Sequence, residues 1–245
     1  MKINSDLCTG CGKCNVFCPV GAIFKDQGKN ISVIDLEECV ECGSCLRQAK
    51  CSVDAIYQQE LAWPRSVRSI MSDPLTITKE SGIAGRGTEE MKTNDVTGRF
   101  RYGYVGVGIE MGRPILGTYF SDVEKVAMAV ASYGVEFETR NPLTSLMSDQ
   151  STGKFQDELL GEKVLSTIIE FTIPVEKMLG LLEVLKDVSE KIDTVFSLCF
   201  VSRLGDDEVI PISHILDEAG VWYAPNGKAN VGLGRPLFIE KGELV

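Results

Sequence analysis

The sequence predicts an α+β protein made of two modules, and three observations support that prediction. The first 60 residues contain eight of the nine cysteines, in a pattern that occurs twice. Residues 61–98 contain two prolines, four glycines and little periodicity, which predicts an extended linker. Residues 99–245 contain two successive strand–helix–strand patterns, which predict an α+β plait (β-α-β-β-α-β). A third, C-terminal helix is predicted at PISHILDEAG and a hairpin around Asn226-Gly227.

Charge and hydropathy limit the partners and the location of the chain. Its net charge is −10 over 245 residues, so we expect no nucleic-acid partner, because phosphate binding requires a basic face. No run of about 18 apolar residues occurs, which predicts no membrane span. The N-terminal residues lack the apolar core of a signal peptide, so we expect a cytoplasmic protein with reduced thiols. Cysteines in that compartment indicate metal ligation rather than disulfides.

The two cysteine sets are an internal duplication with a period of about thirty residues. The first set has the spacing C-x2-C-x2-C-x3-C-P, and the second has C-x2-C-x2-C-x5-C. The segments that follow, CPVGAIF and CSVDAIY, match as well. The first set is Cys8, Cys11, Cys14 and Cys18, and the second is Cys39, Cys42, Cys45 and Cys51.

The spacing within each set favours an iron–sulfur cluster over zinc. Two residues between thiolates allow a tight turn to wrap three sulfurs around one face of a cubane, and the fourth cysteine of such a set ligates the other cluster. We therefore expect two [4Fe–4S] clusters, one held by Cys8, Cys11, Cys14 and Cys51 and the other by Cys39, Cys42, Cys45 and Cys18. A zinc site uses two C-x2-C pairs and requires neither a third cysteine nor Cys-Pro. Gly10, Gly12 and Gly43 would let backbone amides approach cluster sulfurs.

On these motifs, residues 3–58 resemble the bacterial-type ferredoxins with two [4Fe–4S] clusters. The resemblance implies an electron-transfer module. The second set departs from the family pattern, because five residues precede Cys51 and Ser52 replaces the usual proline. Between the sets, AIFKDQGKNISVID predicts a hairpin that turns at Gln27-Gly28, with Ile31, Val33 and Ile34 covering a cluster.

The second module alternates strands and helices. YVGVGIEM is a predicted strand with Val105, Val107, Ile109 and Met111 on one face. The next helix should begin with a capping box of Ser121 and Glu124 and end at Gly134. STIIEFTIP and DTVFSLCFVSRL are further strands, and the helix between them presents an apolar face of Met178, Leu179, Leu182 and Leu185.

Three arginines are candidate ligands for an anion. Arg86 lies in GIAGRGTEE, which matches neither phosphate-loop pattern and is either a flexible turn or an anion nest over residues 85–88. Arg113 and Arg235 occur in the similar segments EMGRP and GLGRP. These segments either share only turn chemistry or bring both guanidinium groups to an anionic ligand or a partner's carboxylate.

No catalytic group can be identified in the sequence. His214 is the only histidine, and with so little histidine we identify no Ser-His-Asp or Cys-His arrangement. Cys199 is expected to be a buried structural thiol. The sequence also contains no flavin, haem or pterin motif, so a redox partner protein or catalytic subunit would supply any catalytic cofactor.

GRGTEEMKTNDVTGRF and the module after it look like a segment of 6-hydroxynicotinate reductase-type proteins, which are ferredoxin-dependent reductases. That resemblance spans about residues 84–240 and implies substrate reduction with low-potential electrons. Three functions therefore stay open. The favoured one is an electron-transfer protein or subunit that serves an oxidoreductase partner. The others are a reductase that binds its substrate in the plait and a sensor of redox state or of a metabolite.

Overall fold

The computed structural model describes residues 1–77, 100–114, 116–203 and 209–224. Arg86, its glycine-rich segment, Arg235 and the hairpin predicted at Asn226-Gly227 lie outside these ranges.

Two small antiparallel strand pairs frame the N-terminal module. Strand β1 (Lys2–Ile3) pairs with β4 (Ile56–Tyr57), and β2 (Ile23–Asp26) pairs with β3 (Ile31–Ile34). A short 3-10 helix (Asn15–Phe17) lies between the third and fourth cysteines of the first set, and helix α1 (Ser44–Gln48) contains the third cysteine of the second set, Cys45. The predicted hairpin is confirmed, but its inward face is different. Ser32 and Ile34 are buried, whereas Ile31 and Val33 are half-buried, so the prediction that Ile31 and Val33 cover a cluster is wrong.

Part of the predicted extended linker is a helix. Helix α2 (Ser66–Ser72) buries Val67 and Met71 in the core of the second module. The two residues lie four apart, so one helix face carries both. The expectation of an extended chain is therefore wrong for this stretch, and the helix fixes the N-terminal module against the second one.

A four-stranded antiparallel sheet forms the second module. The strands are β5 (Tyr104–Met111), β7 (Glu136–Phe137), β11 (Thr167–Pro174) and β12 (Phe196–Ser202), in the order β12-β5-β11-β7. Helices α3 (Phe120–Ser132) and α4 (Met178–Ser189) pack against each other. The side chains of Val105, Val107, Ile109 and Met111 are fully buried, as predicted.

Shorter elements complete the described chain. Strand β6 (Thr118–Tyr119) pairs with β10 (Lys163–Val164), and β8 (Met147–Asp149) pairs with β9 (Lys154–Phe155). Further 3-10 turns occupy Thr144–Leu146, Asp157–Leu159 and Val175–Lys177. Helix α5 (Ser213–Glu218) lies within the third helix that the sequence predicts.

Two details of the predicted helices are wrong. No side chain caps α3, which begins one residue before Ser121, and the Glu124 carboxylate instead accepts a hydrogen bond from the Phe155 amide at 2.8 Å. On α4 the buried residues are Met178, Leu181, Leu185 and Val188. Leu179 is 45% exposed, because the inward stripe runs at three- and four-residue spacing from Met178.

Candidate functional site

Two cavities in the N-terminal module are lined by cysteines. The inner cavity is lined by Cys18, Cys39, Cys42 and Cys45. The outer cavity is lined by Cys8, Cys11, Cys14 and Cys51. Each cavity therefore combines three cysteines of one sequence set with the fourth cysteine of the other set.

The two cavities differ in their exposure to water. The inner cavity has only apolar neighbours besides its cysteines and Gly43, and Cys39, Cys42 and Cys45 are all buried. The outer cavity includes Thr9, Lys13 and Ser32, and Cys11 is exposed. A group bound in the outer cavity would consequently be closer to solvent.

The duplicated sequence folds into duplicated backbone turns. Gly10 and Glu41, each two residues after the first cysteine of its set, have φ of 68° and 55°. Gly12 and Gly43, each one residue after the second cysteine, have φ of 72° and 69°. This left-handed backbone is the conformation that glycine adopts most readily, and it curls the chain so that successive cysteines face one cavity.

Glu41 occupies a left-handed position without being glycine, and ionic contacts hold it there. Its buried carboxylate accepts two hydrogen bonds from Arg65, at 3.0 and 2.6 Å, and contacts the N-terminal ammonium of Met1. Burial alone would raise the pKa of Glu41, but the Met1 ammonium and Arg65 more than offset that effect and lower it. The second cysteine loop is thus anchored at its centre by a buried anion.

Backbone amides donate hydrogen bonds to three of the sulfurs. Ala22 donates to Cys18 Sγ at 3.1 Å, and Ala55 donates to Cys51 Sγ at 3.4 Å. Cys8 Sγ accepts from the amides of Gly10 and Ser32, at 3.5 and 3.4 Å. Such N–H···S bonds orient thiolate ligands and tune the potential of a bound cluster.

The chemistry of the cysteines fits a group that carries positive charge. Burial raises the pKa of the Cys14 and Cys39 thiols. It raises the pKa of Cys45 to about 12, with further contributions from its cysteine neighbours Cys42, Cys39 and Cys18. Thiolates crowded in this way require bound metal to balance their charge. In the described ranges no three Cys, His, Asp or Glu side chains converge on one point as single-ion ligands; the sulfurs line the cavity walls instead.

One polar atom in the outer cavity also supports the binding of a metal–sulfur group there. Ser32 Oγ is buried and, among the described residues, has no partner within hydrogen-bond distance, although it is close enough to the Cys14 thiol to offset part of the rise that burial causes in the pKa of that thiol. A buried hydroxyl without a partner is costly, whereas a sulfur-rich group in the cavity would offer it an acceptor.

The inner cavity lies beside the second module. The Arg68 guanidinium on α2 donates hydrogen bonds to the carbonyls of Leu36, Glu37 and Cys39 and forms an ion pair with Glu162. Val20, which lines the cavity, would lie 3.5 Å from a Cβ added at Gly117. Sequence reasoning missed Arg68 because it lies in the stretch that was expected to be extended.

A second polar contact joins the modules near Glu38. Its carboxylate accepts a hydrogen bond from Lys163 and another, at 3.1 Å, from the Tyr119 hydroxyl. The hydrogen bond from Lys163 lowers the pKa of Glu38. Trp63 adds a hydrogen bond from its indole nitrogen to Glu158. These contacts fix the position of the cysteine module on strands β6 and β10.

Of the other candidate residues, Arg113, Cys199 and His214 line neither cysteine cavity. Arg113 is 42% exposed and forms an ion pair with Glu110 at 2.9 Å. His214 is exposed on α5, and Cys199 is half-buried on β12 rather than buried as expected. The convergence of Arg113 with Arg86 and Arg235 stays a prediction, because the other two arginines lie outside the described residues.

Comparison with known proteins identifies the cysteine-rich part of the chain. Residues 1–63 match the family model of the 4Fe-4S dicluster domain. The N-terminal module is a 4Fe–4S dicluster domain. The cofactors of this domain are two [4Fe–4S] clusters, and the cysteines at positions 8, 11, 14, 18, 39, 42 and 45 fit its pattern.

Similar proteins include ferredoxins and a subunit of an enzyme complex. Ferredoxin-1 of Rhodobacter capsulatus is 45% identical over 42 residues, which cover 17% of this chain and 62% of that protein. Pyruvate synthase subunit PorD of Methanocaldococcus jannaschii is 37% identical over 54 residues, covering 22% of this chain and 59% of that protein. The chain thus spans about 60% of the length of these relatives. No solved structure matches the chain.

The described helices of the structure are short compared with a membrane span. Within the described ranges, none is both long enough and apolar enough to cross a membrane.

Proposed function

We propose that this chain is an electron-transfer protein or subunit that relays low-potential electrons through two [4Fe–4S] clusters to an oxidoreductase partner. The observation that carries the proposal is the pair of cysteine-lined cavities in the dicluster domain, one near solvent and one against the second module. When bound, each cluster exchanges one electron, so the pair can relay electrons singly.

The ligand sets follow the cavities. We assign Cys8, Cys11, Cys14 and Cys51 to the cluster of the outer cavity, and Cys39, Cys42, Cys45 and Cys18 to the cluster of the inner cavity. The cavity linings support this crossed assignment. Cys51 is included although its loop is longer, because the Ala55 amide orients its sulfur as the Ala22 amide orients that of Cys18.

The surrounding residues orient the ligands and control access of water. The apolar wall of the inner cavity, with Phe17, Ile23 and Ile34, excludes water from its sulfurs. The exposed Cys11 and its neighbour Lys13 leave the outer cavity accessible to a soluble donor. We therefore propose that electrons enter at the outer cavity and continue through the inner cavity toward the second module or its partner.

We further propose that the second module is an α+β plait that serves as the contact with the oxidoreductase. The sheet contains β5, β7, β11 and β12, which we number 1 to 4 in order of sequence. Their order across the sheet is then 4-1-3-2, which supports a plait. The name of PorD, a pyruvate synthase subunit, supports a place as one subunit of such an enzyme. Reduced thiols suit a cytoplasmic location.

The reductase hypothesis stays a prediction, because most of the segment GRGTEEMKTNDVTGRF, residues 85–100, lies outside the described ranges. Likewise, an anionic ligand on the second module is a prediction of the sequence alone.

An anaerobic redox titration followed by EPR spectroscopy tests the proposed function. The chain, purified without air, is titrated with dithionite in the presence of mediators. We expect two one-electron reductions at low potential, each with the EPR signal of a reduced [4Fe–4S] cluster. Two clusters that dithionite fails to reduce would overturn the relay while leaving the cluster assignment intact. Turnover of a reducible substrate by the isolated chain would instead favour the reductase.

A further inference from the structure

Arg68 is a buried cation that contacts both modules. Its side chain is 2% exposed, and its Nη1 donates to the carbonyls of Leu36, Glu37 and Cys39 at 3.2, 2.6 and 3.0 Å. Its Nε donates to the carboxylate of Glu162, in the turn before β10. One guanidinium thus holds the chain at a cysteine of the inner cavity and, at the same time, a residue of the second module.

The three carbonyl groups that accept hydrogen bonds from Arg68 Nη1 hold the backbone before and at Cys39 in place. Carbonyl oxygens carry partial negative charge, so a guanidinium orients them toward itself and resists rotation of the peptides. The Cys39 amide also donates to Asp35 at 3.0 Å, so both sides of this residue are held. The direction of the Cys39 side chain into the inner cavity is therefore set from outside the cysteine loop.

The duplicated sequence supplies an internal comparison. Cys8 is the counterpart of Cys39, and its amide donates to Asn4 at 3.0 Å in the same way. Within the described part of the chain, however, no arginine donates to the carbonyls of residues 4–8. The two cysteine loops share their backbone turns, but only the one at the inner cavity has a buried cation beside it.

That cation must affect the electrostatics of the inner cavity. A cluster gains one negative charge on reduction, and a nearby positive charge stabilises the reduced form. Burial weakens solvent screening, so the charges of Arg68 and its partner act over several ångströms. Glu162 opposes Arg68, which means that the net effect depends on both residues.

We propose that Arg68 is a positioning residue for the inner-cavity cluster, fixing Cys39 and, together with Glu162, setting the potential of that cluster apart from the other one. The proposal rests on the crossed assignment of clusters to the two cavities. It makes the contact between the modules part of the redox properties of the chain, because Glu162 belongs to the second module.

Substitution of each charge of the pair gives shifts of opposite sign. In an EPR-monitored redox titration, Arg68→Gln removes the positive charge, and we expect one of the two midpoint potentials to fall. Glu162→Gln leaves Arg68 unopposed, and we expect the same potential to rise. Lys125→Gln is the matched control: it removes a cation that is paired with Asp122 on α3 and, in the described ranges, touches no residue of the cysteine module, so both potentials should stay unchanged.

The opposite signs separate electrostatics from simple loosening of the fold. Loosening would shift the potential in the same direction in both variants, and that result would overturn the proposal, as would unchanged potentials or equal shifts of both clusters. If Arg68→Gln fails to fold, Glu162→Gln still tests the proposal. It retains the Arg68 guanidinium, so one midpoint potential should rise. A second substitution assigns the affected potential to a cavity. Cys11→Ser alters a ligand of the outer cavity, so the potential that it leaves unchanged belongs to the inner-cavity cluster, and Arg68→Gln should shift that one.

Counting iron and sulfide in the unsubstituted protein keeps the two failures apart. Fewer than two clusters there would mean that the proposed function fails. Two clusters whose potentials ignore Arg68 and Glu162 would mean that only this inference fails.

Discussion

Cys18 and Cys51 accept the same hydrogen bond, although different numbers of residues precede them in their motifs. In each case the amide four residues later donates to the sulfur, from Ala22 at 3.1 Å and from Ala55 at 3.4 Å. The turns that make this possible pass through Gly21 and Asp54, whose φ values are 68° and 48°. The duplication therefore extends to the orientation of the sulfur that each half contributes to the other half's cavity.

Loss of Cys51 should remove the cluster of the outer cavity and spare the other. For Cys51→Ser we expect iron and sulfide to fall from about eight to about four per chain, since four irons belong to each cubane. Chemical iron and sulfide assays on anaerobically purified protein measure this. Cys199→Ser is the control and should keep all the iron, because Cys199 lies on β12 and lines neither cavity. Full iron content in Cys51→Ser would contradict the ligand assignment.

Gly10 and Gly12 share a backbone conformation but differ in the space around them. A Cβ at Gly10 would lie 1.9 Å from the Asn30 carbonyl oxygen, whereas a Cβ at Gly12 would meet nothing within 4 Å. Gly12→Ala should cost only the left-handed strain of about 1–2 kcal/mol. Gly10→Ala should cost distinctly more and reduce cluster retention, because backbone atoms must move. Thermal unfolding without air compares them, and equal melting temperatures would refute the description of this loop.

Glu41 should stabilise the fold at neutral pH. Removing one partner of a buried ion pair costs about 3–5 kcal/mol, so Glu41→Gln should lower the melting temperature strongly. The exposed Glu37→Gln is the control, and its side chain should contribute little. Chemical or thermal unfolding of both variants beside the unsubstituted protein gives the difference.

The pH dependence of that difference follows from the lowered pKa of Glu41. A carboxyl group whose pKa falls on folding contributes its full stabilisation above its ordinary value of 4.5 and loses it as pH falls through the folded value. Between about pH 5.5 and 7 the gap between Glu41→Gln and the unsubstituted protein should therefore be constant. If the pKa of Glu41 were raised instead, the stability difference would shrink steadily as the pH rises from 5.5 to 7.

Leu181 and Leu179 test the orientation of helix α4. Leu181 is fully buried, so Leu181→Ala should cost about 2–5 kcal/mol through lost burial and a cavity. Leu179→Ala, on the exposed side, should cost less than about 1 kcal/mol. Denaturant unfolding of the two variants measures both values, and the reverse ranking would mean that the helix presents the face that the sequence pattern suggested.

The cysteine pattern was readable from sequence because ligand spacing is a local property. The grouping of cysteines around each cavity also agrees with the spacing rule, since each half must supply one sulfur to the other. Helix α2 could not be predicted from the sequence, because its seven residues lie between two prolines and its burial depends on the second module. The role of Arg68 was hidden for the same reason: its partners are backbone carbonyls about thirty residues earlier and Glu162, far along the chain.

The inward face of the hairpin shows a different limit. Ile31 and Val33 are the more apolar choice, yet Ser32 and Ile34 are the buried residues of β3. The backbone bonds of Ser32 explain this choice, because its amide donates to Cys8 Sγ at 3.4 Å. A contact with sulfur therefore outweighed the hydrophobic pattern, which sequence periodicity alone does not reveal.

The most direct test of the whole account is a metal and sulfide count on the chain prepared without air. We expect a brown protein with about eight irons and eight sulfides per chain, as two cubanes require. A colourless protein whose thiols hold zinc, or no metal at all, would contradict the account.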